Sequence, residues 1–406
     1  MDNVTHALAG MLVAEAVCAF RRETRPELRA AAYLVSALAN NLPDIDIVYT
    51  WITGPKPLGS LLHHRGHTHT LLLALPGAWL LGVAVWRRFS SRNPGAKPRD
   101  RQLLLGLSLA GVVLHLSMDY GNNYGVHPFW PLSSRWFYGD SIFIVEPLWW
   151  AILMPLLVTT VRKRWLQVLL TVLLAAVLLA CWFMPFVSSV TATLLLALAF
   201  ASLFVARRFS ERTRVLAAVV ASLAVPLVFG LAARSAKAEL RAATQAAFPA
   251  LAVLDMATTP LPANPRCWEG LVAGEQGGVY RVLRATVALG GLAPNACRAG
   301  MDVQPTAPVT LITRSNHGGV RWLTAYSADV SQLSRLRRED CRFRAMLQFA
   351  RLPYAAPTRQ MAGDLRYDRQ PDADFSDVLL PVEPATGACP RLLPGWTEPR
   401  AELFEP

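Results

Sequence analysis

Long apolar stretches dominate the first 233 residues of the chain. Six windows of 17 to 20 residues contain almost no charged side chain, and they cover residues 70–86, 102–118, 142–161, 165–183, 187–206 and 215–233. A helix that rises about 1.5 Å per residue needs about 20 such residues to cross a hydrocarbon core of about 30 Å. Two weaker windows, residues 4–20 and 30–49, are interrupted by polar residues. The pattern therefore predicts an all-α polytopic membrane domain of about eight helices.

Residues 234–406 show a different, mixed pattern of polar and apolar positions. Strand-like runs such as GVYRVLRATVAL and APVTLITR accompany a helix-like segment, ADVSQLSRLRREDCRFRAML. This mixture predicts a small α+β domain. We therefore expect a membrane domain at residues 1–233 and a soluble domain at residues 234–406.

Composition and charge refine this interpretation. The chain is 53% hydrophobic and 17% charged, with a mean hydropathy of +0.31, which excludes a disordered chain and argues against an ordinary soluble protein. A net charge of +12 would suggest nucleic acid in a soluble protein, but here the positions of the charges explain it better. We predict the lipid bilayer as a partner and no nucleic acid.

The basic residues of the loops alternate along the chain. Loops 21–29, 87–101, 162–164 and 207–214 hold 17 Lys and Arg, whereas loops 50–69, 119–141 and 184–186 hold three. Because cytoplasmic loops carry the excess of Lys and Arg, eight spans with both termini outside the cytoplasm satisfy every loop. This places the soluble domain on the non-cytoplasmic side.

Cysteine usage agrees with that topology. Cys18 and Cys181 lie in apolar windows and are expected to be small apolar residues, whereas the other four cysteines, Cys267, Cys297, Cys341 and Cys389, lie in the soluble domain. An even set in an oxidising compartment suggests two disulfides, with three possible pairings.

Histidine and aspartate residues gather on the same predicted side of the membrane. Seven of the eight histidines precede residue 128. The candidates lie at the outer ends of apolar windows or in an outer loop, and they are His6, Asp44, Asp46, His64, His69, His115 and Asp119. Imidazole nitrogens and carboxylate oxygens from several elements at one depth are ligands for a divalent metal, with zinc as the leading candidate.

The local sequence around these residues supports a shared site. His115 and Asp119 are four residues apart and so share one helical face. Pro43 is expected to end the second helix beside Asp44. Taken alone, Asp44 or Asp119 is more simply a helix cap, and the HHRGHTH segment at 63–69 a hydrated loop. Their convergence favours the metal site, in which His63, His67 and His127 are expected to be bystanders.

Four segments in this order resemble a known family. They are MDNVTH at 1–6 with Gly10, LPDID at 42–46, HRGHTHT at 64–70 and HLSMDYGNNYGVHPFWPLS at 115–133. Together they resemble the YdjM-like family of bacterial inner-membrane-bound metal-dependent hydrolases, closely over about residues 1–150. Thr70 stands where the family has Ser. The segments CWEGLVAGEQGGVYRV and DLRYDR (364–369) are similar to the outer domain of longer members.

A more distant similarity is to the superfamily of zinc-dependent phospholipase C and single-strand nucleases. It implies that Asp119 bridges two zinc ions, that His115, Asp44 and either His64 or His69 complete one ion's ligands, and that His6 binds the second. The family resemblance implies a location in the bacterial inner membrane, with the site and the soluble domain on the periplasmic side.

The leading functional hypothesis is hydrolysis of a phosphoester or related bond in a lipid or membrane-proximal substrate, by water activated on one or two zinc ions. We expect Asp46 to orient or deprotonate the water. Arg65 is expected to clamp an anionic group and Asn123 to donate a hydrogen bond to it.

Two other classes of protein stay open. A metal-binding transporter would need polar residues at the middle of the membrane, which the last three spans almost entirely lack. A scaffold or receptor would hold a purely structural metal, and four protein ligands with no open position would favour that alternative.

Overall fold

The structure, a computed structural model, describes residues 1–50, 57–297, 305–314, 316–370, 374–380 and 395–404. The helices of the N-terminal part are α1 (Asn3–Phe20), α2 (Pro26–Ala39), α3 (Asp46–Thr50), α4 (Leu58–His63), α5 (Leu71–Arg92), α6 (Pro98–Tyr120), α7 (Pro147–Thr160), α8 (Arg164–Phe183), α9 (Ser189–Arg208) and α10 (Glu211–Ala247). Short 3-10 helices cover Pro43–Ile45 and His67–His69.

The C-terminal part combines strands with two helices. The strands are β1 (Ala252–Leu261), β2 (Asn264–Gln276), β3 (Val279–Ala288), β4 (Val309–Leu311), β5 (Val320–Asp329), β6 (Pro353–Ala356), β7 (Met361–Asp364) and β8 (Val378–Leu379), and the helices are α11 (Val330–Glu339) and α12 (Cys341–Met346). The predicted fold class, a helical membrane domain followed by an α+β domain, is confirmed.

Within the described residues, six helices are long and apolar enough to cross a membrane, and these are α1, α5, α6, α8, α9 and α10. The expected spans at 30–49 and 142–161 are instead the 14-residue helices α2 and α7. Each is about 21 Å long by helical rise, which is less than the hydrocarbon core. The polar turn that ends in Pro43 stops α2 at Ala39, as the sequence predicts, and α7 begins only at Pro147.

The basic loops meet at one end of the helical domain. Arg25 lies 2.7 Å from Asp100, and Arg29 lies 2.7 Å from Glu211, so the loops after α1, α5 and α9 contact one another. The histidines and aspartates singled out above lie at the opposite ends of α1, α2 and α6. This grouping of the loops agrees with the topology that the basic residues predict.

Two glycines let the helices that carry the candidate site approach closely. A Cβ on Gly10 of α1 would lie 2.5 Å from the carbonyl oxygen of Ser36 on α2, and a Cβ on Gly111 of α6 would lie 2.7 Å from the Cβ of Ala39. Small residues at such contacts allow helix backbones to pack tightly in membranes. The end of α2 is therefore held between α1 and α6.

Helix α10 joins the two parts of the chain. Its 37 residues span about 55 Å by helical rise, more than the membrane requires. The expected domain boundary at residues 233 and 234 lies inside this helix. Beyond it, Leu240 and Ala243 are buried in one cluster with Trp268 and Leu283 of the sheet. The sheet therefore packs directly on the extension of a membrane helix.

The larger sheet is antiparallel, with strand order β1-β2-β3-β5-β4. A two-residue turn of Gly277 and Gly278 joins β2 to β3, and both residues have positive φ angles, 61° and 80°. Such angles suit the tight turn of a hairpin and favour glycine. The strand-like runs of the sequence thus form β3 and β4, as predicted.

A smaller sheet and the disulfides complete the domain. Strands β6, β7 and β8 form a second antiparallel sheet. Cys267 and Cys297 form a disulfide, and Cys341 is also disulfide-bonded. Cys389 lies outside the described residues. Cys18 and Cys181 are free and buried, as expected for small apolar residues.

Candidate metal centre

Five of the predicted ligands come together where α1, α2 and α6 meet the 63–70 loop. His6 lies in the first turns of α1, and His115 and Asp119 lie one turn apart near the end of α6. Asp44 lies in the 3-10 turn after α2, and His69 ends the 3-10 turn before α5. The four residues Asp44, His69, His115 and Asp119 are all buried, and their ligand atoms lie within 4.8 Å of one another.

The distances among these four atoms fit one small ion. The Nε2 atoms of His69 and His115 are 3.1 Å apart. Oδ1 of Asp44 lies 3.3 and 3.7 Å from these two nitrogens, and Oδ2 of Asp119 lies 3.4 Å from each. Tetrahedral ligands at about 2.0–2.1 Å from zinc lie about 3.3–3.4 Å from each other. The observed distances match that spacing closely.

The other ring nitrogens fix which atoms carry protons. Nδ1 of His115 lies 2.8 Å from the carbonyl oxygen of Asn40, and Nδ1 of His69 lies 3.1 Å from Oδ2 of Asp46. Both partners only accept hydrogen bonds, so both Nδ1 atoms donate. In neutral rings, both Nε2 atoms then carry lone pairs. These lone pairs and those of the two carboxylate oxygens face the same small space. Four converging acceptors need a cation between them.

The pKa of His69 also indicates that this space needs a positive charge. Burial acts to lower the pKa of His69, but hydrogen bonds to three carboxylates, those of Asp119, Asp44 and Asp46, outweigh burial and raise the pKa to about 10. Without an ion, a proton on this ring therefore supplies the positive charge. A divalent cation would replace that proton.

Asp46 and His64 lie beside the four-residue group. Asp46 is fully buried, and its oxygens accept from Nδ1 of His69, from Nδ1 of His64 at 3.1 Å, from the backbone N–H of Arg65 at 2.8 Å and from Thr68. These contacts favour positioning of the two histidines over the predicted action on water. Of the predicted alternatives for one ligand, His69 joins the group, and His64 pairs with Asp46. Asp44, Asp46 and His64 also form a second group with the spacing of metal ligands.

The guanidinium of Arg65 forms hydrogen bonds with other residues of the protein. Its guanidinium donates to Oδ1 of Asp119 at 2.8 Å, to the side chain of Asn122 at 3.0 Å and to the carbonyl oxygens of Asp119 and Gly125. The side chain is 2% exposed. Its backbone φ of 57° lies in the left-handed region and lets the N–H face Asp46 while the side chain reaches Asp119. These contacts support positioning of Asp119, and they give no support to the predicted clamp on an anionic substrate.

The two oxygens of Asp119 face different groups. Oδ2 faces His69 and His115, whereas Oδ1 lies 3.3 Å from Nε2 of His6 and also accepts from Arg65 and from the amino group of Met1. The ring of His6 stacks on that of His115 with centroids 3.9 Å apart. His6 is thus placed beside Asp119, at the oxygen that also contacts Arg65 and the amino group of Met1.

The other predicted residues lie outside this cluster. Asn123 donates to the hydroxyl of Thr259 at 2.7 Å, so it ties the loop after α6 to β1. His127 packs between Trp136 and Trp396, and His67 also contacts Trp396. None of His63, His67 and His127 belongs to the groups with the spacing of metal ligands among the described residues, and their role as bystanders stays a prediction.

Two contributors were missed by the sequence analysis. Asn40 accepts from His115 through its carbonyl oxygen and donates through its side chain to the carbonyl oxygen of His6. Its signal in the sequence is an amide side chain within the apolar window at residues 30–49. Arg366 lies in the DLRYDR segment and donates to the carbonyl oxygens of Asn123 and Tyr124. The soluble domain is thereby hydrogen-bonded to the loop after α6, which also contacts Arg65.

Comparison with known proteins supports the resemblance seen in the sequence. The family model described as YdjM inner membrane protein matches residues 1–189. No curated protein and no solved structure shows a significant match to the chain. The resemblance to the YdjM family is therefore confirmed over the region that contains the whole His and Asp cluster. The apolar helices and this family indicate a multi-pass membrane protein.

Asp46→Asn tests the orienting role of Asp46. The amide cannot accept equally from His64, His69 and the Arg65 backbone, so we expect metal affinity to fall about 10–100-fold. Titration of the purified protein against a competing chelator measures this affinity. Asp100→Asn, which removes a buried carboxylate at the opposite end of the helices, should leave the affinity unchanged. Equal losses in both variants would contradict the assignment.

Arg366→Met tests the link between the soluble domain and the centre. Loss of a buried, paired arginine is expected to destabilise the protein by about 3–5 kcal/mol and also to weaken metal binding, because the loop under Arg65 loses its support. Arg284→Met is the matched control, since Arg284 is buried and pairs with Glu269 but forms no hydrogen bond with that loop within the part of the chain that the structure describes. Chelator competition and thermal unfolding should show destabilisation in both variants and weaker binding only in Arg366→Met. Unchanged affinity in Arg366→Met would refute the link.

Proposed function

We propose that the chain is a membrane-bound, metal-dependent hydrolase that cleaves a phosphoester or related bond of a lipid or membrane-proximal substrate. One observation carries the proposal: four buried ligand atoms from Asp44, His69, His115 and Asp119 converge at the spacing of a small divalent ion. Two nitrogens and two oxygens suit zinc, which is our candidate metal. A zinc ion bound there would supply a Lewis acid that lowers the pKa of water and offsets charge on phosphoryl oxygens.

The surrounding residues have distinct tasks in this proposal. Asp46 orients His69 and His64, and Arg65 holds Asp119 in place. The His64 side chain is 29% exposed, more than the neighbouring ligands, so it lies where a substrate would reach the centre. We assign it to the binding or protonation of the substrate at that opening.

The surroundings of the centre support a substrate that arrives from the membrane. Ile45, between Asp44 and Asp46, and Val48, two residues after Asp46, are 56% and 65% exposed. Large apolar side chains exposed in this way beside apolar helices suit contact with lipid. The opposite face is covered by the soluble domain, where Trp396 donates to the carbonyl oxygen of Leu62 at 2.9 Å. We place this face on the periplasmic side of the inner membrane, following the basic loops.

A structural metal is the second candidate, and a specific observation favours it. The group already offers four protein ligand atoms, and three of the four residues are at most 1% exposed. Structural zinc sites have four protein ligands, whereas catalytic sites keep one position open. In that case the ion would link the end of α2, α6 and the 63–70 loop and stabilise the fold, and the protein would not catalyse hydrolysis at this site.

Hydrolysis assays on zinc-loaded protein separate these candidates. The substrates are a water-soluble phosphodiester, bis(p-nitrophenyl) phosphate, and vesicles of phosphatidylglycerol or phosphatidylcholine, with product release followed by phosphorus NMR. We expect zinc-dependent hydrolysis that is faster for lipid than for the soluble ester. Asp119→Asn should lower the rate by more than about 100-fold, since loss of a ligand costs more than loss of a supporting partner. Asp100→Asn should retain activity.

The outcomes are exclusive. Activity that chelation removes and zinc restores, with the fold intact, supports the hydrolase. If the zinc-loaded protein hydrolyses none of these esters and chelation sharply lowers the unfolding temperature, the hydrolase proposal is wrong and the metal has a structural role.

A further inference from the structure

A long apolar groove runs along the membrane domain, separate from the metal centre. It has a volume of about 820 Å³ and lies between α1, α6, α7 and α10. Its walls are mainly Leu, Val and Ala side chains, among them Leu12, Val13, Leu153, Leu223 and Leu227. Along α10 it extends from Val219 to Lys237, about 27 Å by helical rise. This length exceeds the roughly 15 Å of one leaflet of the hydrocarbon core.

The wall of the groove is held by a defined contact between α7 and α10. Pro226 lies inside α10 and lacks the N–H that would bond the carbonyl oxygen of Ser222. The indole nitrogen of Trp149 donates to that oxygen at 3.1 Å instead. Both Trp149 and Pro226 line the groove. The groove is therefore fixed by the sequence of α10.

The outer end of the groove is polar and positively charged. Tyr120, Ser141, Arg234 and Lys237 line it there. Lys237 lies 2.7 Å from Asp140, which also pairs with Arg351, and Arg351 pairs in turn with Asp255. Arg234 is exposed and has no carboxylate partner among the residues that the structure describes. Arg234 therefore gives this end of the groove an excess of positive charge, directly after the apolar residues 215–233 of α10.

We propose that this groove binds one anionic membrane lipid, with an acyl chain along α10 and its phosphate at Arg234 and Lys237. Apolar walls of this length fit an acyl chain, and the charged rim fits an anionic headgroup rather than a zwitterionic one. No residue of the His and Asp cluster lines the groove, and the proposal requires neither bound metal nor catalysis.

Native mass spectrometry of the full-length protein in detergent tests the proposal, with phosphatidylglycerol and phosphatidylcholine of the same acyl chains as probes. The wild type should prefer phosphatidylglycerol. Arg234→Gln should reduce that preference about fivefold, the effect of one basic residue near anionic lipid. Arg241→Gln, an exposed arginine of the same helix that does not line the groove, is the matched control and should behave as wild type.

A second variant tests the groove itself. A Cβ at Gly230 meets nothing within 4 Å, and Gly230 lines the groove, so the ring of Gly230→Phe should occupy the groove and abolish retention of the lipid. Gly106→Phe is the matched control, because Gly106 also faces open space on a membrane helix but lies outside the groove. Thermal unfolding should confirm that both variants fold. Equal binding of the two lipids by wild type, or unchanged binding by a folded Gly230→Phe protein, would overturn the proposal.

Discussion

The convergence of four hydrogen-bond acceptors in a buried space is the constraint on which the site depends. The two imidazole nitrogens lie 3.1 Å apart and 3.3–3.7 Å from the two carboxylate oxygens, and all four residues are buried. Acceptors repel one another at this distance unless a cation lies between them. Asn40 and Asp46 fix the imidazoles so that this arrangement cannot relax by rotating a ring. The site is therefore built to hold positive charge.

The rest of the fold supports that arrangement from two directions. In the membrane, Gly10 and Gly111 allow α1 and α6 to clasp the end of α2, which brings His6, Asn40 and His115 together. Outside it, Arg366 holds the loop after α6, and that loop contacts Arg65, which in turn holds Asp119. The soluble domain thus acts on the centre through positioning contacts.

Much of this could be predicted from the sequence because periodicity and charge are local signals. Apolar windows predict the positions of the long helices. The spacing of four residues between His115 and Asp119 predicts that they share one helical face. The lengths of α2 and α7 were overestimated, because apolar residues such as Ile45 and Val48 continue past the polar turn that ends the helix. Side-chain direction was beyond reach: Arg65 turns towards Asp119 and Asn123 towards Thr259, and both depend on contacts with distant residues. The same holds for the choice of His69 over His64.

Metal content of the purified protein tests the central claim most directly. Elemental mass spectrometry of the wild type, beside His115→Ala and Asp119→Ala, measures whether the cluster holds an ion. We predict about one equivalent of zinc for a single four-ligand site, lost in both variants while circular dichroism shows that the helices persist. A folded wild type that contains no metal and does not bind added zinc would contradict the account.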